Sequence, residues 1–323
     1  MANAVYSNAV AKSRANYMLG AERMSRMIDA ESVSEAIKVL GEVGFGGNLA
    51  DGCDIETIVN AELVALYDFV KSTSPSERFT KFFLIANDYH NAEAYMKAKH
   101  LPLNVESFTT FDGLLTKERI KSLVLIDDYA WFSEPMKKAL KTCDGMFVSG
   151  KATGADISSV FARALYEELY EVSKRDKILF PIYQFRADCA NISLALRSRN
   201  FAFTKDNMVK GGRLLESELS ALCTQPFETL KDVFKAGRNG IEMISAIDDA
   251  SKNKPLADFE KQVDGFAVKY LQKYKYSIEG VYPFVIYCYE KLAEIGDVRI
   301  ILACKSAGLT PTQIKGRLRS YEV

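Results

Sequence analysis

The sequence predicts an all-α protein of three similar helical domains. Three observations carry that expectation. Apolar residues recur at helical spacing through most of the 323-residue chain, strand-like alternation is rare, and one polar-marked helix pattern occurs three times. The length suits about two or three domains. With 48% hydrophobic and 26% charged residues, a packed core is expected rather than disorder.

The elements follow in order. SVSEAIKVLGEV (32–43) opens on Ser32 with Glu35 three residues on, the signature of a capping box. GEVGFGG (41–47) reads as a helix C-terminal turn between antiparallel helices. IETIVNAELVALYDFVKS (55–72) and ISSVFARALYEELYEVSKR (157–175) carry three- and four-residue apolar spacing. KSLVLIDDYAWF (121–132) is the nearest approach to a strand and is assigned to helix. The tyrosine-dense stretch 270–290 reads as a core helix of the last domain. Pro75, Pro102, Pro181, Pro255 and Pro311 fall between helical segments.

The repeat is a triplet: an acid, a polar residue three positions later, and a base eleven positions after the acid. Its members are Asp88, Asn91 and Lys99; Asp188, Asn191 and Arg199; and Glu294, Asp297 and Lys305. Large apolar segments precede each copy (77–87, 177–187, 281–292), and a short break follows (HLPLN, NFAFTKDN, SAGLTPTQ). That pattern predicts a helical hairpin ending on a polar-marked helix, and domains over 1–104, 105–204 and 205–323. On a helix the acid and base lie about 20° apart and the middle residue about 60° to the other side, so all three share a face. Eleven residues rise about 16 Å, so the two ends cannot touch. Acid early and base late complement the helix dipole. The expected role is to fix each helix and its packing, with direct partner contact as the alternative. The third copy departs from the others: Asp297 replaces the Asn, and Ala303 stands where Lys97 and Arg197 supply a second base.

Several chemistries are not expected. Lys plus Arg equals Asp plus Glu at 42 each, which gives no reason for nucleic acid as the main partner. The six cysteines (53, 143, 189, 223, 288, 304) form no CxxC pair and the chain has two histidines, so no metal site is expected and the thiols read as reduced and mostly buried. The glycine-rich 41–47 lacks a following Lys-Ser/Thr and follows a helix, so no nucleotide cofactor is expected there. VKGGRLL (209–215) likewise reads as a structural turn with a base. Asp88 and His90 face about 200° apart and cannot act as an acid–base pair. Cys189 has no histidine near it in sequence, and no catalytic residue is assigned. The N-terminus lacks a continuous apolar leader core, and 280–289 is shorter than the roughly 20 residues of a membrane span.

ANDYHNAEAYMKAK (86–99), FRADCANISLALRSRNF (185–201), VKGGRLL and GDVRIILACKSAGLTPTQIKGRLRSY (296–321) together resemble the C subunit of bacterial and archaeal V-type (A-type) ATPases, the counterpart of the eukaryotic d subunit. The likeness runs from the GFGGNL turn (44–49) to the terminal RLRSY, with segment order and length in agreement; the last motif is the most specific. The resemblance implies a funnel of three similar domains about a pseudo-threefold axis, peripheral on the cytoplasmic face of the membrane. Such a socket receives the shaft subunits D and F and sits on the proteolipid ring. It passes torque for ion transport coupled to ATP hydrolysis or synthesis, with no cofactor, catalysis or direct small-molecule substrate of its own. Exposed bases are then the expected docking groups: Lys210, Arg213, Lys315, Arg317 and Arg319. An ordinary solvated helix end is the plainer reading of the last three. Two other readings remain: a soluble helical-repeat adaptor for another complex, and an all-α enzyme, for which the sequence offers no cluster of titrating groups.

Overall fold

The computed structural model describes residues 3–47, 54–101, 108–150, 153–226, 229, 265–277 and 280–318. Every regular element among them is helical. In chain order these are α1 (Ala4–Ala15), α2 (Gly20–Asp29), α3 (Val33–Gly41), α4 (Ile55–Thr73), α5 (Glu77–His100) and α6 (Lys117–Leu125). There follow α7 (Glu134–Val148), α8 (Gly154–Ser173), α9 (Leu179–Ser198), α10 (Phe201–Asn207), α11 (Glu216–Thr224), α12 (Tyr282–Ser306) and α13 (Pro311–Lys315). A 3₁₀ turn lies at Tyr129–Trp131, and 265–272 is helical.

Helix starts are written locally. Side chains of Asn3, Ser32, Asp54, Thr116, Asn200 and Thr310 each accept a backbone N–H of the first turn. Such a cap is worth about 1 kcal/mol. At α3 the expected box forms by half: Ser32 takes the Glu35 N–H, but the Glu35 carboxylate takes that of Glu31. Full boxes form instead at Thr153 with Asp156, opening α8, and at Thr310 with Gln313, opening α13. The 41–47 glycines do end a helix, with Gly44, Gly46 and Gly47 all at positive φ.

Four local expectations change. First, 121–132 is not one helix. α6 stops at Leu125, Asp127 adopts φ 59, and the Asp128 N–H returns to the Leu123 carbonyl. Two consecutive Asp residues favour caps over helix interior, and Asp128 caps the 3₁₀ turn. Second, 270–290 breaks. The first helix ends at 272, Gly280 turns at φ 63, and α12 starts with Pro283 in its first turn, where proline is tolerated. Third, 201–207 is the helix α10, capped by Asn200, rather than a break. Fourth, the apolar segment before each triplet is the same continuous helix as the triplet (α5, α9, α12), not the other arm of a hairpin.

The chain divides into two compact units, Met1–Glu77 with Ala257–Val323, and Arg78–Leu256. In the first, the long helix α12 lies against α1, α2, α3 and α4. Met24, Ile28, Leu40, Ile58, Phe69, Phe284 and Val298 are buried there, and the Phe69 ring stacks on Phe284 at 5.5 Å. In the second, α7 and α8 form a hairpin, and α8, α10 and α11 lie against α9. Its buried side chains include Leu140, Phe161, Ile182, Tyr183 and Phe185. Removing this apolar surface from water, at roughly 25 cal/mol per Å², is the main driving force of both units.

Candidate functional site

The polar triplets mark three long helices, and each triplet holds both ends of a shorter one. At the early end, Asp88 is buried and its carboxylate accepts the N–H groups of Leu114 and Leu115, both at 3.2 Å. These lie immediately before the Thr116 cap of α6. Asp188 does the same for α11, accepting from Arg213 N at 2.6 Å and Leu214 N at 3.1 Å. Glu294 accepts the Leu19 N–H at 2.7 Å, immediately before α2. A carboxylate at the N-terminal end of a helix meets the positive end of its dipole and its unsatisfied N–H groups.

The middle residue grips the incoming chain. Asn91 donates to the Phe111 carbonyl at 3.0 Å and accepts the Thr110 N–H at 2.8 Å. Asn191 donates to the Val209 carbonyl and accepts the Val209 N–H at 3.0 and 2.8 Å. Asp297 is fully buried at the third position. While ionised it accepts hydrogen bonds and donates none, so it cannot repeat the two-way amide grip.

The base holds the far end of the same short helix. Arg199 Nη1 donates to the carbonyls of Leu222 and Gln225 at the end of α11, at 3.1 and 2.8 Å. Lys305 Nζ donates to the Ala30 carbonyl, the C-cap of α2, at 2.5 Å. Lys99 reaches Asp127, just past α6, and Asp144 at 2.9 Å. A cation at a helix C-terminus satisfies orphan carbonyls and the negative dipole end. The spacing now has a physical reason. The acid and base stand about 16 Å apart, close to the length of a nine- or ten-residue helix with its caps. Each triplet is therefore a two-ended clasp on a short helix: the next one in the chain for α5, α11 for α9, and α2, near the start of the chain, for α12.

Two glycines make room for the grip. A Cβ on Gly113 would stand 2.2 Å from Asp88 Oδ1, and one on Gly212 would stand 2.3 Å from Asp188 Oδ1. Sequence reasoning missed these partners. The available signal was a Gly with two leucines shortly after it, about 25 residues past each Asp (GLL at 113–115, GRLL at 212–215).

The electrostatics differ among the copies. Burial pushes the Asp188 carboxyl up, against the pull of the Arg213 N–H groups. Its counter-ion is the Arg213 guanidinium, Nε 3.2 Å away. Burial also pushes Glu294 up. Its counter-ion is Lys291 on its own helix at 2.6 Å, which also meets Glu62 at 2.7 Å and lies 4.6 Å from the Phe45 ring centre. Burial acts to lower the Lys291 value, but Glu294 and Glu62 outweigh it and the net direction is upward. In the first copy Asp127 is held below the usual carboxylate range by the Lys99 and Tyr129 hydrogen bonds. Asp144 is also lowered: burial opposes this, but Tyr129, Lys99 and His100 outweigh it.

The remaining candidates separate. Arg213 is engaged by Asp188. Lys210, Lys315 and Arg317 are exposed, and Arg319 lies outside the described residues. Lys97 pairs with Glu93 at 2.6 Å. His90 is exposed and meets the Phe108 carbonyl at 2.8 Å, while Asp88 is turned to α6. Cys143, Cys189, Cys223, Cys288 and Cys304 are buried free thiols, and Cys53 lies outside the described residues. Among the described residues no cluster of three His, Cys, Asp or Glu side chains could hold a metal, and no helix is long and apolar enough to cross a membrane.

Comparison with known proteins agrees with the likeness seen in the sequence. The A-type ATP synthase C subunit of Methanosphaera stadtmanae is 19% identical over 331 aligned positions, covering 95% of this chain and 85% of that protein. The A-type ATP synthase C subunit of Haloferax volcanii is 29% identical over 164 positions, 48% of this chain and 47% of that protein; in that match the chain spans about half the relative's length. The family model described as ATP synthase (C/AC39) subunit matches residues 7–317, nearly the whole chain. The chain is a member of the ATP synthase (C/AC39) subunit family.

Proposed function

We propose that this chain is a non-catalytic central-stalk subunit of a rotary ATPase, a socket that couples the shaft subunits D and F to the membrane proteolipid ring. In this reading three similar domains, 1–104, 105–204 and 205–323, form a funnel about a pseudo-threefold axis, peripheral on the cytoplasmic face. Torque passes through it between the ATP-handling head and the ion-carrying ring.

The observation that carries the reading is the recurrence of the two-ended clasp on three helices. A part that transmits torque must resist sliding of one helix along another. Close packing resists compression, but a smooth apolar contact offers little against axial slip. A helix held by a carboxylate at its start and a cation at its end must break charge-assisted hydrogen bonds to slide either way, each worth about 1.5–3 kcal/mol. Docking falls to exposed bases, with Lys210, Lys315 and Arg317 free for it, and Arg319 joins them in this reading. Arg213 serves the clasp first. Interfaces of moderate size and polar character would hold the shaft yet allow release.

The test is to strip the ATPase head from native membranes with low salt and chelator. The chain is expected to stay with the ring while the catalytic subunits leave. A chain that is soluble throughout and absent from purified ATPase would point instead to a helical adaptor of another complex.

A further inference from the structure

The hairpin of α7 and α8 carries a cleft of 340 Å³ that none of the three clasps uses. Its floor is small and apolar: Ala139, Val160, Ala164 and Met208. Lys138, Arg163, Glu167, Asp206 and Lys210 stand exposed on its rim. The trough continues along α7 past Lys141 to Glu134, and along α8 to Glu171.

The charges are the informative part. Glu134 is paired with Lys137, and Glu171 with Lys174. The side chains of Lys138, Lys141, Arg163 and Lys210 have no ion pair or hydrogen bond among the described residues, nor do those of Glu167 and Asp206. Four free bases against two free acids, over an apolar floor, leave the trough net positive. The stretch 134–142 of α7 spans about 12 Å and 160–171 of α8 about 16 Å, which is two to three turns of a helix. Helix pairs pack at about 8–10 Å, and a third helix laid in such a groove buries an apolar stripe while its flanks face the rim.

We propose that the α7–α8 trough is a docking groove for an acidic amphipathic helix of a partner protein. Carboxylates of that helix meet Lys138, Lys141, Arg163 and Lys210. Its small apolar side chains enter the cleft between Ala139 and Met208. Glu167 and Asp206 set the register by repelling acids and accepting a base.

The test uses the full chain and a labelled synthetic helical peptide of about fourteen residues, with an Ala/Leu stripe flanked by Glu and one Lys. Fluorescence anisotropy reads the affinity, which is expected to weaken steeply with salt. The double variant Lys138→Glu with Arg163→Glu should weaken it at least tenfold. Val160→Trp, which fills the floor without changing charge, should do the same. Lys38→Glu with Lys71→Glu, in the other unit, should leave it unchanged. Circular dichroism reports that each variant is folded. The proposal is overturned if Val160→Trp binds as the parent chain does, if the charge reversals have no effect, or if a peptide of the same composition in scrambled order binds equally well. No ATPase is present in the assay, so its outcome is independent of the membrane-stripping test.

Discussion

The second and third clasps use the same chemistry on very different stretches of chain. Asp188 holds Arg213 and Leu214, 25 and 26 residues ahead, whereas Glu294 holds Leu19, 275 residues behind. An elevenfold longer loop costs about 2 kcal/mol more to close in an unfolded chain. The third clasp offsets this with a denser setting. Glu294 is reinforced by Lys291, which Glu62 also holds, and α12 packs broadly on α1 and α4. The difference teaches that a local clasp can take its counter-ion from the segment it grips, while a clasp between distant segments draws on charges and core from several helices.

The largest expected effect breaks the acid ends. Asp188→Ala orphans two part-buried backbone N–H groups and releases Arg213, so a loss of about 4 kcal/mol is expected. Glu294→Ala orphans one N–H and leaves Lys291 with Glu62, so about 2–3 kcal/mol is expected. Urea unfolding followed by circular dichroism measures both, and an equal or reversed order would show that the surrounding charges, not the backbone grip, dominate.

A smaller effect sharpens the comparison at the glycines. Gly212→Ala forces its Cβ against Asp188 Oδ1 and should cost about 1–3 kcal/mol. In an Asp188→Ala background much of that cost should vanish. Gly20 beside the third clasp has open space but φ +68, so Gly20→Ala should cost about 1 kcal/mol with no coupling to Glu294.

The smallest effect is in pH. Asp188 and Glu294 are raised, so their contribution is present below the ordinary carboxylate value and is lost as pH rises through the folded value. Asp127 and Asp144 are lowered, so theirs is present above the ordinary value and is lost as pH falls through the folded one. The penalty of Asp144→Asn should thus fade on acidification from about pH 4 toward about pH 2, below the ordinary carboxylate value, while Asp188→Asn should lose ground to the parent chain as pH falls from about 7 to about 4. Unfolding midpoints against pH measure both, and parallel profiles for the two variants would refute the opposite signs.

Much of this was legible in the sequence. Periodicity placed α4 and α8, Ser32 and Glu35 placed the start of α3, and the spacing of Asp88 to Lys99 put three polar groups on one face. What periodicity cannot report is the partner of a buried polar side chain. The triplet states that a helix face is polar, not that a carboxylate there is shared with two N–H groups 26 residues on. Short-range turn chemistry was the other gap. The left-handed Asp127 and the turn at Gly280 interrupt segments whose apolar residues keep helical order on both sides. Asn200 starts α10 because its side chain takes the Phe203 N–H, a signal the loop-like composition of 200–207 hides.

The dependence of α12 on α2 also bears on how the chain can be handled. A cut after Gly20 would take away α1 and the Leu19 N–H, and with them the face on which the last long helix closes. The first twenty residues thus behave as an inserted wedge of the C-terminal half, and trimming them as though they were a dispensable tail should expose that half to proteases more than 250 residues away.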